Sequence, residues 1–505
     1  MRKRTEGNDP SPSARPSVGM NKTIRRASVF TLLLVLALLV RATWVQFYEG
    51  RALADDTDNR RVAIERYAHP LGDIIVAGDA VTGSERTSGG DLAYRRSYPD
   101  GGLYAAVTGY SSQVYGATQL EGIYKDLLDG TDDRLRDPLG VLTDERADPG
   151  DVVTTIDPAV QRAGYEALGG KKGAAVAIDP RTGRILAVVS TPSYDPSRIS
   201  GTTSSDAAAW KELTEDSDKP MTNRALRRPL PPGSTFKLVV AAAALEDGLY
   251  TSVDQRTDSE NPYTLPGTTT VLRNESASAP CENATIRVAL QYSCNNVFAK
   301  MAVELGEDRL RAMAEKFGFN DGTQDVPVRA YASVYPSDME ESQVGLTGIG
   351  QFDVTATPLQ MAMVSAALAN GGELVSPHMV STIEDADGTT LEDYDDAAKT
   401  TRVVRSGTAE QLRSAMQTVV EEGTGTNARI SGATVGGKTG TAQHGENNSK
   451  TPYAWFTSYA TSDSTGAEVA VAVVVEQSDA ARSEVSGNGL AAPVARAMMQ
   501  AALRD

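Results

Sequence analysis

Two cysteines and three histidines are all that 505 residues supply of the commonest metal-binding side chains. His69, His378 and His444 lie far apart and show none of the spacings of a zinc site, so no metal is indicated and no cofactor is expected. Cys281 and Cys294 stand alone, which excludes a disulfide-rich scaffold; the pair leaves open either one bond or two buried thiols. Positive charge is also in deficit. Against 66 Asp and Glu there are 49 Lys and Arg, and the formal charge of −17 is spread from residue 50 onward, so no surface is advertised for nucleic acid. Long hydrophobic runs are missing too, with one exception near the N-terminus.

That exception is the 14-residue run 27–40, preceded by Arg2, Lys3, Arg4, Arg15, Lys22, Arg25 and Arg26. Basic residues gathered on one side orient the N-terminus toward the cytoplasm. Apolar character resumes after Arg41 with Ala42, Trp44, Val45, Phe47 and Tyr48, so Arg41 can snorkel while Trp44 and Tyr48 sit in the interface. We read 27–48 as an uncleaved single-pass anchor in the cell membrane, behind a cytoplasmic tail over 1–26. The first 19 residues of that tail, rich in Ser, Pro, Gly and charge, are expected to be disordered, with Met20 an alternative start. A secretory signal cut after Val40-Arg41-Ala42 is the alternative, and both place the remainder outside the cytoplasm.

The rest is globular in composition, 40% hydrophobic and 23% charged, and long enough for two or three domains. Over 50–149, short apolar pieces such as 73–76 and 103–107 alternate with Gly and Asp turns, which suggests a small, β-rich domain ending in a polar linker over 143–150. Beyond it, 174–179 and 184–190 form apolar strands joined by Pro180-Arg181-Thr182-Gly183, a hairpin in which Gly183 takes positive φ. Two further strands are expected at 454–459 and 469–476, then an amphipathic helix at 490–503. Helical periodicity dominates between, at 235–246, 286–292, 297–305 and 358–369. This order predicts an α+β domain over 150–505: an antiparallel sheet assembled from both ends, with a helical region inserted.

Three short patterns carry chemistry. In Pro231-Pro232-Gly233-Ser234-Thr235-Phe236-Lys237 a stiff turn enters an alanine-rich helix, placing Ser234 and Lys237 on one face. A serine hydroxyl becomes nucleophilic when a neighbouring base takes its proton, and a lysine held neutral can be that base. Alone the pattern is weak, since roughly two Ser-x-x-Lys matches arise by chance in a chain this long. Ser293-Cys294-Asn295 falls between two helices, where Ser or Asn serves equally as a helix cap. Lys438-Thr439-Gly440-Thr441 follows Gly436-Gly437; on an edge strand its lysine and hydroxyls suit a carboxylate and Gly440 admits a substrate backbone, while the bland alternative is a glycine-rich turn.

Together, in this order and on a helix, a loop and a strand, the three patterns resemble the penicillin-binding protein and serine β-lactamase superfamily. The resemblance covers 150–505 and includes Thr154-Thr155-Ile156-Asp157, the stretch 177–187, Asn223-Arg224-Ala225, Gly348-Ile349-Gly350-Gln351, the stretch 357–362, Gly423-Thr424-Gly425 and Ala454-Trp455-Phe456. The domain before it is too short for a glycosyltransferase, so the chain looks like a monofunctional class B member, most similar to the actinobacterial penicillin-binding protein A branch. It departs from the pattern at Pro70-Leu71-Gly72-Asp73-Ile74 and at Cys294.

This resemblance implies a D,D-transpeptidase that cross-links peptidoglycan stem peptides and is acylated by β-lactams. Ser234 is the implied nucleophile, with Lys237, Ser293, Asn295 and Lys438 catalytic and Thr439, Gly440 and Thr441 binding substrate. Implied partners are a SEDS-type glycan polymerase and division proteins. A D,D-carboxypeptidase, in which water replaces the amine, is the nearest alternative. A β-lactamase and a non-catalytic division scaffold are further ones.

Overall fold

Segments rich in Val and Ala, far apart in the sequence, meet in one antiparallel five-stranded sheet in the computed structural model of the chain, which describes residues 18–49, 60–88, 91–136, 146–445 and 448–504. Residues 1–17 of the tail expected over 1–26, and residues 143–145 of the linker, lie outside the described residues, whereas 18–26 belong to a helix. The chain divides into two units, Met1–Glu65 and Arg66–Asp505.

In the first unit, helix Val18–Trp44 continues as a π-helical turn, Val45–Glu49. Its stretch Lys22–Trp44, 23 residues, is long and apolar enough to cross a membrane, and none of it is buried within the protein. Trp44 stacks on Tyr48 with ring centroids 4.5 Å apart.

In the second unit the main sheet runs in the order Ala433–Ala442, Tyr453–Ser462, Glu468–Gln477, Lys172–Ile178, Ile185–Thr191. Strand alternation sends Ala174, Val176, Ala472 and Val474 to one face and Ala175, Ala177, Val471 and Val473 to the other. Both faces are covered, so these strands read as continuous apolar runs. Helix Pro358–Ala369, buried along its whole length, lies on the first face, and Pro158–Leu168 and Ala492–Ala502 pack in the second core. Thr357 caps the buried helix by accepting from the Gln360 N–H at 3.1 Å, Pro358 occupies its first turn, and the Gln360 amide donates to Phe317 O at 2.6 Å. Gly436 and Gly437 lie inside the strand and not in a turn before it. Added Cβ atoms there would come within 2.4 and 2.5 Å of the Tyr459 and Phe456 rings, so the missing side chains make room for aromatic packing across the strand.

The regions expected as separate domains on either side of residue 150 share a second five-stranded sheet. Ile74–Val76 pairs parallel with Asp151–Thr154, which pairs antiparallel with Val380–Glu384. The apolar piece 103–107 is not a strand but part of helix Gly101–Thr108, with Leu103, Tyr104, Ala105 and Val107 all buried. A short apolar run that is buried on several sides carries no period to tell helix from strand.

The 71–150 region is organised around a buried ion pair. Arg96, fully buried, donates to Glu121 Oε1 at 2.6 Å, to Thr82 Oγ1 at 2.9 Å and to Asp73 Oδ1 at 3.3 Å, and the Tyr98 hydroxyl donates to Glu121 at 3.2 Å. Replacing Glu121 by Ala leaves the guanidinium in a dry pocket with only the more distant Asp73 as counter-charge. We expect Glu121→Ala to lose about 3–5 kcal/mol of stability, read as a lower midpoint in denaturant unfolding.

Candidate active site

The first pattern begins as a 3₁₀ turn, Gly233–Phe236, that passes directly into helix Lys237–Glu246. Ser234 therefore lies in the opening turn, whose N–H groups have no intrahelical acceptor, and Lys237 follows one turn later. The turn is wedged between two backbones. On one side Gly233 N–H donates to Gly350 O at 3.0 Å, and a Cβ on Gly350, whose φ is +67°, would meet Gly233 O at 2.0 Å. On the other side stands the open edge of Ala433–Ala442, an outer strand of the sheet. There a Cβ on Gly440 would meet Pro232 O at 2.9 Å and Thr235 Cγ2 at 3.1 Å. Gly440 thus leaves room for the protein's own Ser234 turn.

Both lysines are fully buried and converge on the second pattern. Lys237 Nζ lies 2.8 Å from Ser293 O, 2.8 Å from Asn295 Oδ1 and 3.2 Å from Ser293 Oγ. Lys438 Nζ lies 3.1 Å from the same Ser293 Oγ and 3.0 Å from Thr439 O. Burial, and then the charge of Lys438, hold Lys237 well below the ordinary lysine range; burial brings Lys438 down to about 7. Two ammonium groups on one hydroxyl in a dry pocket repel, so the pair keeps one charge more readily than two. A neutral Lys237 satisfies every contact: its two N–H bonds go to the acceptors at 2.8 Å, its lone pair takes the Ser293 O–H, and Ser293 Oγ accepts from charged Lys438. Among the described residues the Ser234 hydroxyl has no hydrogen-bond partner, so it is free to react.

Ser293 sits at φ +57°, a left-handed conformation uncommon for serine, immediately before the bonded cysteine. The structure joins Cys281 to Cys294 by a disulfide, with Cα atoms 5.5 Å apart. Asn274 reinforces this brace: its Oδ1 accepts from the Asn295 and Asn296 N–H groups at 2.5 and 3.4 Å. Both ends of the Asn295 amide are engaged, Oδ1 by Lys237 and Nδ2 by Arg273 O at 3.0 Å. One N–H and one lone pair of that amide stay uncommitted, enough to meet a substrate amide.

On the motif strand, Thr439 Oγ1 pairs with Thr424 Oγ1 at 2.8 Å, and Thr441 stands opposite Ala454. Ser234, Lys237, Ser293, Asn295, Lys438, Thr439, Gly440 and Thr441 are thus gathered at one strand edge. Thr424 and Gly350 were visible only as parts of glycine-containing signatures, and Asn274 gave no signal in the sequence.

Residues 173–500 match the family described as penicillin binding protein transpeptidase domain, and 71–152 match the penicillin binding protein A dimerisation domain. The chain is 36% identical to the peptidoglycan D,D-transpeptidase PbpA of Mycobacterium tuberculosis, over 96% of this chain and 99% of that one. It is 35% identical to the PbpA of Mycolicibacterium smegmatis, over 96% and 100%. The structure of penicillin-binding protein A from M. tuberculosis as a ceftriaxone acyl-enzyme complex superposes with a TM-score of 0.80 at 35% identity, covering 87% of this chain and all of that one.

The disulfide closes a loop across a sequence separation of 13 residues. Its removal by Cys281→Ser is expected to cost about 3 kcal/mol. Because the bond adjoins Ser293, acylation by a β-lactam should slow more than tenfold under conditions where the variant is still folded by circular dichroism.

Proposed function

The chain belongs to the penicillin-binding protein transpeptidase family, and from that membership we propose that it is a membrane-anchored peptidoglycan D,D-transpeptidase that cross-links stem peptides through an acyl-enzyme on Ser234. The observation that carries the assignment of residues is the pair of buried lysines sharing Ser293 Oγ. Such a pair supplies a neutral base and a fixed positive charge side by side, which is what acyl transfer from a peptide ending in a carboxylate requires.

Neutral Lys237 takes the Ser234 proton, and Oγ attacks the carbonyl of the penultimate D-Ala. The N–H groups of Ser234 and Thr441 hold the oxyanion. The proton passes from Lys237 through Ser293 to the departing D-Ala amine, whose carboxylate rests on Lys438, Thr439 and Thr441. Asn295 takes the peptide amide with its second Nδ2–H. An amine of a second stem then receives the acyl group, and Ser234 regains its proton. A β-lactam enters the same path, but its leaving amine stays tethered and the acyl-enzyme persists.

Residues 150–505 carry this chemistry. The N-terminal helix anchors the chain with its N-terminus cytoplasmic and the catalytic region outside the membrane, in keeping with the basic residues ahead of the apolar run. A SEDS-type glycan polymerase and division proteins are the proposed partners.

Labelled penicillin tests the nucleophile: Ser234→Ala should lose covalent labelling, and retained labelling would remove Ser234 from the mechanism. A pH profile tests the lysines. Lys237 must be neutral and its proton affinity is lowered, so acylation should fall as pH drops through that lowered value, far below 10.5. Lys438 must be charged, so reaction with a carboxylate-bearing donor should also fall as pH rises through about 7. A donor amide without the carboxylate should lose the alkaline limb and keep the acid one.

A further inference from the structure

Between the second and third motifs lies a turn that the steps above leave unused. Residues 422–425 are clamped to the end of helix Ile286–Gln291, two positions before Ser293. The Thr424 N–H donates to Gln291 O at 3.2 Å, and the Gln291 side-chain amide donates to Glu422 O at 3.2 Å. A Cβ on Gly423 would meet Gln291 O at 2.6 Å, so backbone rests on backbone there. On its other side the turn is tied to helix Ser406–Glu421 by the Gly425 N–H, which donates to Val419 O at 2.9 Å. Held from both sides, half-buried Thr424 presents its Oγ1 to Oγ1 of buried Thr439 at 2.8 Å. Among the described residues, each of these two hydroxyls has the other as its one hydrogen-bond partner.

A hydroxyl carries one proton, and that decides the direction of the contact once substrate is bound. Thr439 holds the donor carboxylate in the mechanism above, and a carboxylate only accepts, so the Thr439 proton must point at it. The contact at 2.8 Å then has one possible donor, the Thr424 O–H. We propose that Thr424 is a positioning residue for the donor: by donating to Thr439 Oγ1 it turns the Thr439 proton toward the terminal carboxylate, and so favours donors that end in one. This rests on the transpeptidase reading above. A hydroxyl that accepts one hydrogen bond donates a stronger one, so the chain from Thr424 through Thr439 to the carboxylate is reinforced along its length. The turn that carries Thr424 is fastened to the helix leading into Ser293, so the carboxylate end of the site and the second motif share one support.

The test uses the full chain and two thioester donors, an N-acyl-D-alanyl thioglycolate, which ends in a carboxylate, and the corresponding thioglycolamide, which does not. Thiol release gives kcat/KM for each. Both donors acylate the same Ser234 with the same base, so a general loss of folded protein or of the base cancels in their ratio. Thr424→Val, which keeps the shape and removes the hydroxyl, should lower the carboxylate-to-amide ratio about five- to tenfold. Thr424→Ala should lower it likewise, and Thr424→Ser, which keeps the hydroxyl, should recover most of it. In a Thr439→Val background, Thr424→Val should have no further effect, because no proton is left to orient. An unchanged ratio in Thr424→Val or Thr424→Ala, a fall that Thr424→Ser does not recover, or a full effect in the Thr439→Val background overturns the proposal. A wild-type protein that releases thiol from neither donor overturns the transpeptidase reading itself, and the positioning proposal with it.

Discussion

Two lysine side chains, both without solvent, reach for one serine hydroxyl, and a pocket of that kind keeps one ammonium charge far more easily than two. Desolvation penalises each charge and mutual repulsion penalises the pair. Lys237 meets Ser293 O and Asn295 Oδ1 as well as the hydroxyl, and Lys438 also holds Thr439 O, a carbonyl of its own strand. The proposed base and the proposed carboxylate anchor both fall under this one electrostatic constraint. Neither function requires a special residue, only two ordinary lysines set a hydroxyl apart.

Such an arrangement survives only on a scaffold that does not let the lysines drift toward water, and three elements distant in sequence must be held together. The nucleophile turn is clamped between Gly350 and the open strand edge, where even one methyl group would collide with backbone. The strand is held by full pairing with its neighbour from Ala433 to Ala442. The Ser293 loop has no such lattice of its own; the disulfide and the Asn274 side chain hold it in place, which is why its φ can sit at +57°. The buried helix Pro358–Ala369 stiffens the layer beneath, and Thr457 Oγ1 ties sheet to helix by donating to Met361 O at 2.7 Å.

Much of this was legible before any coordinates. Helix Pro358–Ala369 coincides with the apolar run expected at 358–369, because Thr357 and Pro358 announce its start. The hairpin turn at Gly183 takes the positive φ its sequence demands, 78°. Less was legible where burial erased periodicity: 103–107 became a helix, and the glycines at 436 and 437 disappeared into a strand because aromatic rings of a neighbouring strand need their space. The partition at residue 150 was also invisible as a shared sheet, since strand pairing between Ile74–Val76 and Asp151–Thr154 leaves no mark in either segment alone.

By itself the sequence determined the N-terminal apolar helix, most of the order of strands and helices, and the three short motifs, since these depend on local hydrophobicity, capping and spacing. Only the tertiary structure decided that Lys237 and Lys438 meet on Ser293 Oγ, that the two cysteines bond, and that Asn274 pins the Asn295 backbone. Proton affinities depend on distance and solvent exclusion between segments up to 201 positions apart, as Lys237 and Lys438 are, and a one-dimensional pattern contains neither quantity.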